Sequence, residues 1–180
     1  MNERDQESDQ ALIDAARAGA EAAFEALYYR YRDWVVRLAY RITGQEADAL
    51  DVLQETFAYL LKKLPRLTLT ARMTTFLYPA VKHLSVRLAR KRRRHAPGDE
   101  GLTEAQAPPA KQSSRAELAT ALGALPEAQR EVVLMRFVDD MSLSEIAEAL
   151  KVPIGTVKSR LHNALRTLRE DEGMQRRFFE

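Results

Sequence analysis

The sequence predicts an all-α protein made of two small helical domains joined by a flexible linker. Apolar residues recur at intervals of three and four along most of its 180 residues, and no long segment alternates with a period of two. Residues 95–115 interrupt this pattern, because they hold 3 of the 7 prolines and have no apolar periodicity. The predicted domains are therefore residues 1–94 and 116–180, with residues 95–115 as the linker.

Four helices are predicted in the first domain: a short one that starts after Ser8 and stops at Gly19, and three at residues 21–43, 46–64 and 75–94. Ser8 is a typical N-cap and Gly19 a typical C-cap for the first helix, and Pro65 stops the third. Thr75 is the candidate N-cap of the fourth helix. Because Pro79 then falls at the fourth helical position, we expect a late start or a kink.

The second domain should also contain four helices, at residues 116–124, 126–139, 142–150 and 154–171. Pro126 suits the first turn of its helix. Ser142 and Glu145 form an S-x-x-E capping box, in which each side chain satisfies a free backbone N–H of the other residue. Only residues 151–153 separate the last two helices, and this short connection predicts a helix-turn-helix.

One segment carries the excess positive charge. The chain holds 28 Lys and Arg against 26 Asp and Glu, yet residues 66–94 hold 9 basic residues and no acidic one. We therefore expect the chain to meet a polyanion at one place. A solubilising tail or a membrane-surface patch would also explain a run of Lys and Arg. The position of the run at the end of an amphipathic helix, just before the linker, favours nucleic acid.

Several classes of function are not expected. The chain has no Cys, and its three His are far apart in the sequence, so neither thiolate chemistry nor a metal site is indicated. No Gly-rich phosphate loop and no nucleophile-base pattern is present. The apolar stretches are too short to span a bilayer, and the first residues do not resemble an export signal. We expect a cytoplasmic protein that is not an enzyme, uses no cofactor or metal and does not enter a membrane.

The last predicted helix has two distinct faces. With about 100° between successive residues, a sector of about 100° holds its apolar side chains, which are Val157, Leu161, Ala164, Leu165 and Leu168. The opposite sector holds hydrogen-bonding side chains, which are Lys158, Ser159, His162, Asn163 and Arg166. Such a helix can pack on its partner helix and offer polar groups to a DNA major groove. An ordinary helical hairpin with a solvated polar face would have the same division.

The third predicted helix is divided in a similar way. Leu53, Phe57, Leu60, Leu61 and Leu64 cluster within about 100°. Asp48, Asp51 and Glu55 lie on the far side, and their carboxylates are expected to be free for a basic partner. A solvated acidic stripe, which is common on helices, is the alternative.

Both halves of the chain resemble bacterial RNA polymerase sigma factors. The run S-L-S-E-I-A-E-A-L, followed by V-P-I-G-T-V-K-S-R-L, is similar to a signature of the extracytoplasmic-function (ECF) group within the promoter-reading C-terminal domain, sigma region 4. The runs FEALYYRY and D-V-L-Q-E resemble helices of sigma region 2. In the family, these helices bind the clamp of the largest polymerase subunit. The turn departs from the family at Lys151, where Gly is common, and a left-handed conformation there would cost about 1 kcal/mol.

The resemblance implies a role for each of three groups of residues, with core RNA polymerase and promoter DNA as partners and an anti-sigma factor as a possible third. The clamp-binding residues are Asp48, Asp51, Gln54 and Glu55. The residues that melt and read the minus-10 element are Arg66, Arg72, Phe76, Lys82, His83, Arg87, Arg90 and Lys91. The residues at the minus-35 major groove are Arg136, Thr156, Lys158, Ser159, His162, Asn163 and Arg166, of which Arg136, Thr156 and Arg166 would contact phosphates. The second domain would also sit on the flap of the second-largest subunit.

Single-strand binding needs flat groups on which bases can stack, and Phe76, Tyr78 and His83 are the candidates. For Phe76, packing in the core is the alternative. The family commonly has Trp, Asn and Asp at the positions of Phe76, His83 and Arg87, and rarely Pro at Pro79. The base preference at the minus-10 element is therefore the property that transfers least from the family to this chain.

A protein of another class would share part of this pattern. A self-sufficient helix-turn-helix regulator could dimerise through its first half and bind an operator alone. Such a dimer needs neither an acidic D-x-x-Q-E helix nor a long linker. An RNA-binding helical protein is a third reading, and the groove-reading division of the last helix disfavours it.

Overall fold

The structure is a computed structural model that describes residues 3–95 and 109–170. Every element in these two ranges is helical, which confirms the all-α prediction. The chain forms two compact units, residues 1–103 and 104–180. Residues 96–108, in the predicted linker, and residues 171–180 lie outside the described residues.

The first unit is a helical bundle. Its elements are α1 (Glu3–Arg17), α2 (Glu21–Thr43), α3 (Glu46–Lys63), a single 3-10 turn (Leu64–Arg66) and α4 (Met73–His95). Helices α2, α3 and α4 pack on one another, and α1 packs on α2 and on the 3-10 turn. The core draws aliphatic side chains from all four helices, among them Ile13, Leu27, Val35, Leu38, Val52, Leu60, Leu77 and Val81.

The boundaries of α2 and α3 agree closely with prediction, but α1 begins earlier than expected. Gly44 ends α2 in the left-handed region at φ 68°, and its N–H donates to the carbonyl of Tyr40. Helix α1 starts at Glu3 rather than after Ser8. Ser8 does not act as an N-cap, because it lies inside the helix and its hydroxyl accepts a hydrogen bond from Arg30 of α2 at 3.3 Å.

Helix α4 also begins earlier than predicted. It starts at Met73, and the carbonyl of Arg72 accepts the N–H groups of Thr75 and Phe76 at 3.0 and 3.2 Å. The expected late start is therefore wrong, because backbone bonds to Arg72, and not the Thr75 side chain, begin the helix. The helix continues through Pro79, which removes the N–H that would donate to the carbonyl of Thr75.

The second unit contains α5 (Pro109–Ala124), α6 (Glu127–Phe137), α7 (Leu143–Leu150) and α8 (Ile154–Glu170). Helix α8 packs on both α6 and α7. Buried side chains from these helices and from the α6–α7 connection include Val132, Met135, Met141, Ile146, Val157 and Ala164. Leu125, Val133 and Ala164 form one apolar cluster with Leu122, Leu161 and Leu168 packed against it.

Two boundaries of the second unit differ from prediction. Helix α5 begins at Pro109 rather than Ala116, inside the predicted linker. Ala, Lys, Gln and Arg at positions 110, 111, 112 and 115 are good helix formers, and Pro is well tolerated in a first turn. Pro126 is the N-cap residue of α6 rather than its first helical residue, and its carbonyl accepts from Gln129 and Arg130.

The predicted capping box and short turn are confirmed. The backbone N–H of Ser142 donates to the Glu145 carboxylate at 2.7 Å, and the N–H of Glu145 donates to the Ser142 hydroxyl at 3.3 Å. Lys151 ends α7 in the left-handed region at φ 55° and ψ 45°. The N–H of Val152 then donates to the carbonyl of Ala147 at 3.0 Å, which closes the end of α7 before α8 begins.

Candidate polymerase and nucleic-acid interfaces

The candidate polymerase-binding residues lie together on α3, in a group that we call the acidic surface (Asp48, Asp51, Gln54 and Glu55). Asp51, Gln54 and Glu55 are exposed and Asp48 is half-buried. The opposite face of α3 is buried, as predicted, at Leu53, Phe57 and Leu60, but Leu61 is 50% exposed. Leu61 lies at the edge of the buried face. Ala49, Val52 and Thr56 are also buried, and they move the centre of that face away from Leu61.

Two carboxylates of the acidic surface are not free, contrary to prediction. Arg87 of α4 forms an ion pair with Glu55. Arg92 of α4 lies 2.8 Å from the Asp48 carboxylate. Among the described residues, no ion pair involves Asp51. Two carboxylates of the acidic surface are thus paired with cations of α4, the helix that the sequence predicts to bind DNA.

Helix α4 carries most of the candidate minus-10 residues on one side. His83, Arg87, Arg90, Lys91 and Arg94 are exposed and, with Val86, line one open concavity. We call these five polar residues the basic face. Lys82 lies outside this concavity and is half-buried. Arg66 is exposed in the 3-10 turn, whereas Arg72 is half-buried at the start of α4.

The aromatic candidates separate in the structure. Phe76 is half-buried and stacks on Tyr59 of α3, with ring centroids 5.9 Å apart and an interplanar angle of 22°. The ammonium of Lys63 lies 5.6 Å from the Tyr59 centroid. Tyr78 is 3% exposed, so it belongs to the core and cannot serve as a stacking platform. Sequence reasoning missed Tyr59 and Lys63, although their spacing of four residues puts them on one side of α3.

The polar residues of α8 face away from its packed stripe. Lys158, Ser159, His162 and Arg166 are exposed, while Asn163 is half-buried. Val157 and Ala164 are buried, and the other three members of the predicted apolar stripe are half-buried. The structure therefore brings the candidate minus-35 residues of this helix together on its solvent side.

Two of the candidate minus-35 side chains, Arg136 and Ser159, make hydrogen bonds within the second unit. Arg136 is half-buried and donates to the carbonyl of Met141 at 3.0 Å, which braces the turn between α6 and α7. Ser159 donates to the carbonyl of Thr156 at 3.0 Å within α8. Thr156 is half-buried in the first turn of that helix. A phosphate contact by Arg136 would have to use the part of its guanidinium that the turn does not hold.

Among the residues that the structure describes, no helix combines the length and apolar character needed to span a bilayer.

Comparison with known proteins identifies both units. The family model "Sigma-70 region 2" matches residues 27–95, and "Sigma-70, region 4" matches residues 115–168. The chain is 32% identical over 166 residues to the ECF RNA polymerase sigma factor SigL of Mycobacterium tuberculosis, covering 88% of this chain and 94% of SigL. This chain is an ECF sigma factor of the sigma-70 family. It therefore acts in promoter-directed transcription initiation, with core RNA polymerase and promoter DNA as its partners.

Further relatives agree with this ECF sigma factor in sequence and in fold. The ECF RNA polymerase sigma factor SigW of Bacillus subtilis is 28% identical over 174 residues, which cover 88% of this chain and 93% of SigW. The solved sigma factor RpoE from Bartonella quintana, in complex with the anti-sigma factor NepR, has the same fold. Its TM-score is 0.63 at 21% identity, covering 82% of this chain and 94% of that one. The matches to both regions favour a sigma factor over a stand-alone dimeric regulator.

Proposed function

We propose that each unit of this ECF sigma factor recognises one promoter element, and that the first unit also binds the polymerase. Residues 1–94 bind the clamp through the acidic surface and hold the melted minus-10 strand along α4. Residues 116–180 sit on the flap and read the minus-35 element with α8. Residues 95–115 connect the two. The observation that carries this proposal is that each unit exposes its polar and cationic groups on one side of a helix whose other side is packed.

The α4 side suits a single strand. Phe76, His83, Arg87, Arg90 and Arg94 fall within a sector of about 60° when successive residues turn by about 100°. Their helix rises about 27 Å from the first to the last of them. Stacking groups combined with a cationic track are what sequence-tolerant single-strand binding requires. The Phe76–Tyr59 stack lies at the start of this track, and the basic face forms its remainder.

The α8 side suits a duplex. The N-terminal residues of a recognition helix contact base edges when the helix lies in the major groove. Lys158, Ser159, His162 and Asn163 lie in the first three turns of α8, and Lys and Asn are suited to guanine and adenine edges. Arg136, Thr156 and Arg166 are proposed phosphate contacts around this helix.

Catalysis belongs to the polymerase in this proposal, and the sigma factor supplies promoter recognition alone. The cytoplasm is its place of action, because the proposed partners are core polymerase and promoter DNA. An anti-sigma factor is a further proposed partner, supported by the RpoE relative, which was solved bound to NepR.

Run-off transcription tests the proposal directly. Core RNA polymerase, with and without the chain, would transcribe a library of promoters with randomised minus-10 and minus-35 elements. Transcripts are expected only with the chain, and only from templates that share both elements. Tight and specific binding of duplex DNA by the purified chain without polymerase would instead support the stand-alone regulator.

The salt dependence of DNA binding offers a second test. The proposal takes five exposed cations of this unit as phosphate contacts: Arg66, Arg87, Arg90, Lys91 and Arg94. Holoenzyme binding to a single-stranded minus-10 oligonucleotide should then weaken with log salt at a slope of about −3.5 from this unit. Substitution of Arg90 and Arg94 by Ala should reduce the slope by about 1.4. An unchanged slope would remove these two residues from the proposed interface.

A further inference from the structure

The connection between the 3-10 turn and α4 is held by side chains from α1. Arg17 donates through Nε to the carbonyl of Leu64 at 3.2 Å and through Nη2 to the carbonyl of Leu67. The side-chain oxygen of Gln10 accepts the backbone N–H of Leu69 at 2.9 Å. These residues are separated by 47, 50 and 59 positions in the sequence. The backbone of this connection is therefore bonded to a distant helix.

Asp14 joins the two residues of α1 that make these bonds. Its carboxylate accepts from Gln10 at 3.0 Å and pairs with Arg17 at 2.9 Å. The three side chains lie at spacings of four and three, on one side of α1. We call this group the α1 clamp (Gln10, Asp14 and Arg17). Because Asp14 orients both neighbours, the clamp is already formed before any partner binds.

Helix α1 is itself fixed to the bundle. Asp9 is 1% exposed, and its carboxylate pairs with Arg30 at 2.6 Å and accepts the hydroxyl of Tyr31. Ile13 is fully buried in the core. A charged carboxylate at this depth needs such partners. The α1 clamp thus stands on a helix that cannot easily shift relative to α2.

The clamped connection turns alternate side chains inward and outward. Leu67 is buried and Leu69 is half-buried, whereas Thr68 and Thr70 are exposed. The exposed Arg66 precedes this stretch, and α4 with its basic face follows it. An irregular segment of this kind would otherwise lose about 1 to 2 kcal/mol of backbone entropy per residue on binding a partner. Bonds to its carbonyls and N–H remove much of that cost in advance.

We infer that the α1 clamp consists of positioning residues for minus-10 recognition, which hold residues 67–72 in the shape that meets the melted strand. This inference rests on the proposed assignment of residues 66–94 to that strand. The α1 clamp does not contact DNA. It affects DNA binding through the backbone of the connection that it holds. It gives α1, which lies before the matched part of region 2, a role in promoter opening.

The first experiment tests the hydrogen bonds of the α1 clamp in the isolated chain, without polymerase or DNA. Hydrogen exchange is followed at the Leu69 amide in the intact chain and in Gln10→Ala, Arg17→Ala and Arg37→Ala variants. Arg37 is an exposed residue of α2 and serves as the charge-matched control. Exchange at Leu69 should rise about tenfold or more in Gln10→Ala and should also rise in Arg17→Ala, while amides of α2 stay protected. Unchanged exchange at Leu69 in both clamp variants would overturn the inference.

The second experiment measures the consequence in the holoenzyme. Arg17→Ala is expected to weaken binding of a single-stranded minus-10 oligonucleotide about tenfold, the loss of roughly one to two hydrogen bonds. Affinity for core polymerase and for minus-35 duplex should be unchanged. Arg17→Lys keeps the charge but cannot span two carbonyls, so it should behave like Arg17→Ala. Arg37→Ala should match wild type.

The outcomes distinguish this inference from the function on which it rests. Suppose that Arg17→Lys binds the oligonucleotide like wild type while Arg17→Ala binds it weakly. Arg17 would then act only through its charge, and the inference would be overturned. Loss of core binding by Arg17→Ala would make it a general fold determinant and overturn it equally. If the wild-type holoenzyme itself fails to bind the oligonucleotide, the proposed function fails, whatever the exchange at Leu69.

Discussion

Arg92 of α4 reaches the Asp48 carboxylate of α3 at 2.8 Å, and the other terminal nitrogen of the same guanidinium donates to the carbonyl of Thr43 at 2.8 Å. The cation thereby ties the end of α2 and the start of α3 to the last turns of α4. The guanidinium of Arg92 thus lies at the C-terminus of α2, where the helix dipole is negative and a cation is favourable. Although Arg92 belongs to the basic run of the sequence, its contacts indicate a structural task.

Arg92→Ala should therefore destabilise the first unit, while Arg90→Ala should not. Loss of the ion pair and the carbonyl bond is expected to cost about 1 kcal/mol, or about 4 to 8 °C in the melting temperature of a domain of this size. Arg90 is exposed on the same helix and is the matched control. Thermal unfolding followed by circular dichroism measures both. Equal melting temperatures for the two variants would contradict the structural task of Arg92.

In DNA affinity, Arg90→Ala should be the more impaired of the two variants. Arg90→Ala removes a proposed phosphate contact, whereas Arg92→Ala leaves the basic face complete. A weaker single-strand affinity for Arg90→Ala than for Arg92→Ala, measured with the holoenzyme at one salt concentration, is the expected result. The reverse order would move the DNA contact to Arg92.

Asp51 provides the sharpest test of polymerase binding. Glu55 and Asp48 are paired inside the unit, so reversing their charge would disturb α4 as well as any partner. Asp51→Arg reverses an exposed charge that enters no described ion pair, and it should reduce recovery of core polymerase in a pull-down by tenfold or more, about 1.4 kcal/mol. Far-ultraviolet circular dichroism should be unchanged.

Glu46→Arg is the control for this change. It makes the same charge reversal on the same helix, at an exposed position turned by about 140° from Asp51. It places a cation in the first turn of α3, which should cost about 0.3 to 1 kcal/mol of stability through the helix dipole. Core binding by this variant should stay near wild type. Equal loss of core binding in both variants would indicate a general charge effect in place of a specific surface.

Local chemistry predicted the features that depend on nearby residues. The capping box at Ser142 and the boundaries of α2 follow from side chains within a few positions of each other. The division of α8 follows from its helical spacing and agrees with its burial. These features could be predicted because the groups that determine them lie within one or two turns in the sequence.

The contacts between helices could not be predicted in this way. Glu55 and Arg87 are 32 positions apart, and Arg17 and Leu67 are 50 apart. Helical spacing shows which face a residue occupies, but not which cation of a neighbouring helix will reach it. Thus the acidic residues were placed correctly on the outer side of α3, while the expectation that all three carboxylates are free was wrong. For the same reason, the stack of Phe76 on Tyr59 could not be predicted from the sequence.

Lys158 tests the direction in which α8 reads DNA. If its ammonium contacts a base edge, Lys158→Ala should cost about 1 to 3 kcal/mol at one base pair of the minus-35 element and little elsewhere. Arg169→Ala removes a cation three turns further along α8 and should have no such effect at that position. Holoenzyme binding to a set of single-base minus-35 variants measures both. A uniform loss over all sequences would make Lys158 a phosphate contact.

Lys151 has a conformation that a side chain disfavours, and its replacement should stabilise the second unit. A non-Gly residue in the left-handed region costs about 1 kcal/mol, so Lys151→Gly should raise the free energy of unfolding by up to about 1 kcal/mol, less the entropy that Gly gains in the unfolded chain. Asp140, at φ 50°, has a positive φ as well, but Asp tolerates this region better. Asp140→Gly should therefore gain less. Urea unfolding of both variants measures the difference, and a destabilised Lys151→Gly would show that the Lys side chain contributes more to the turn than its backbone conformation costs.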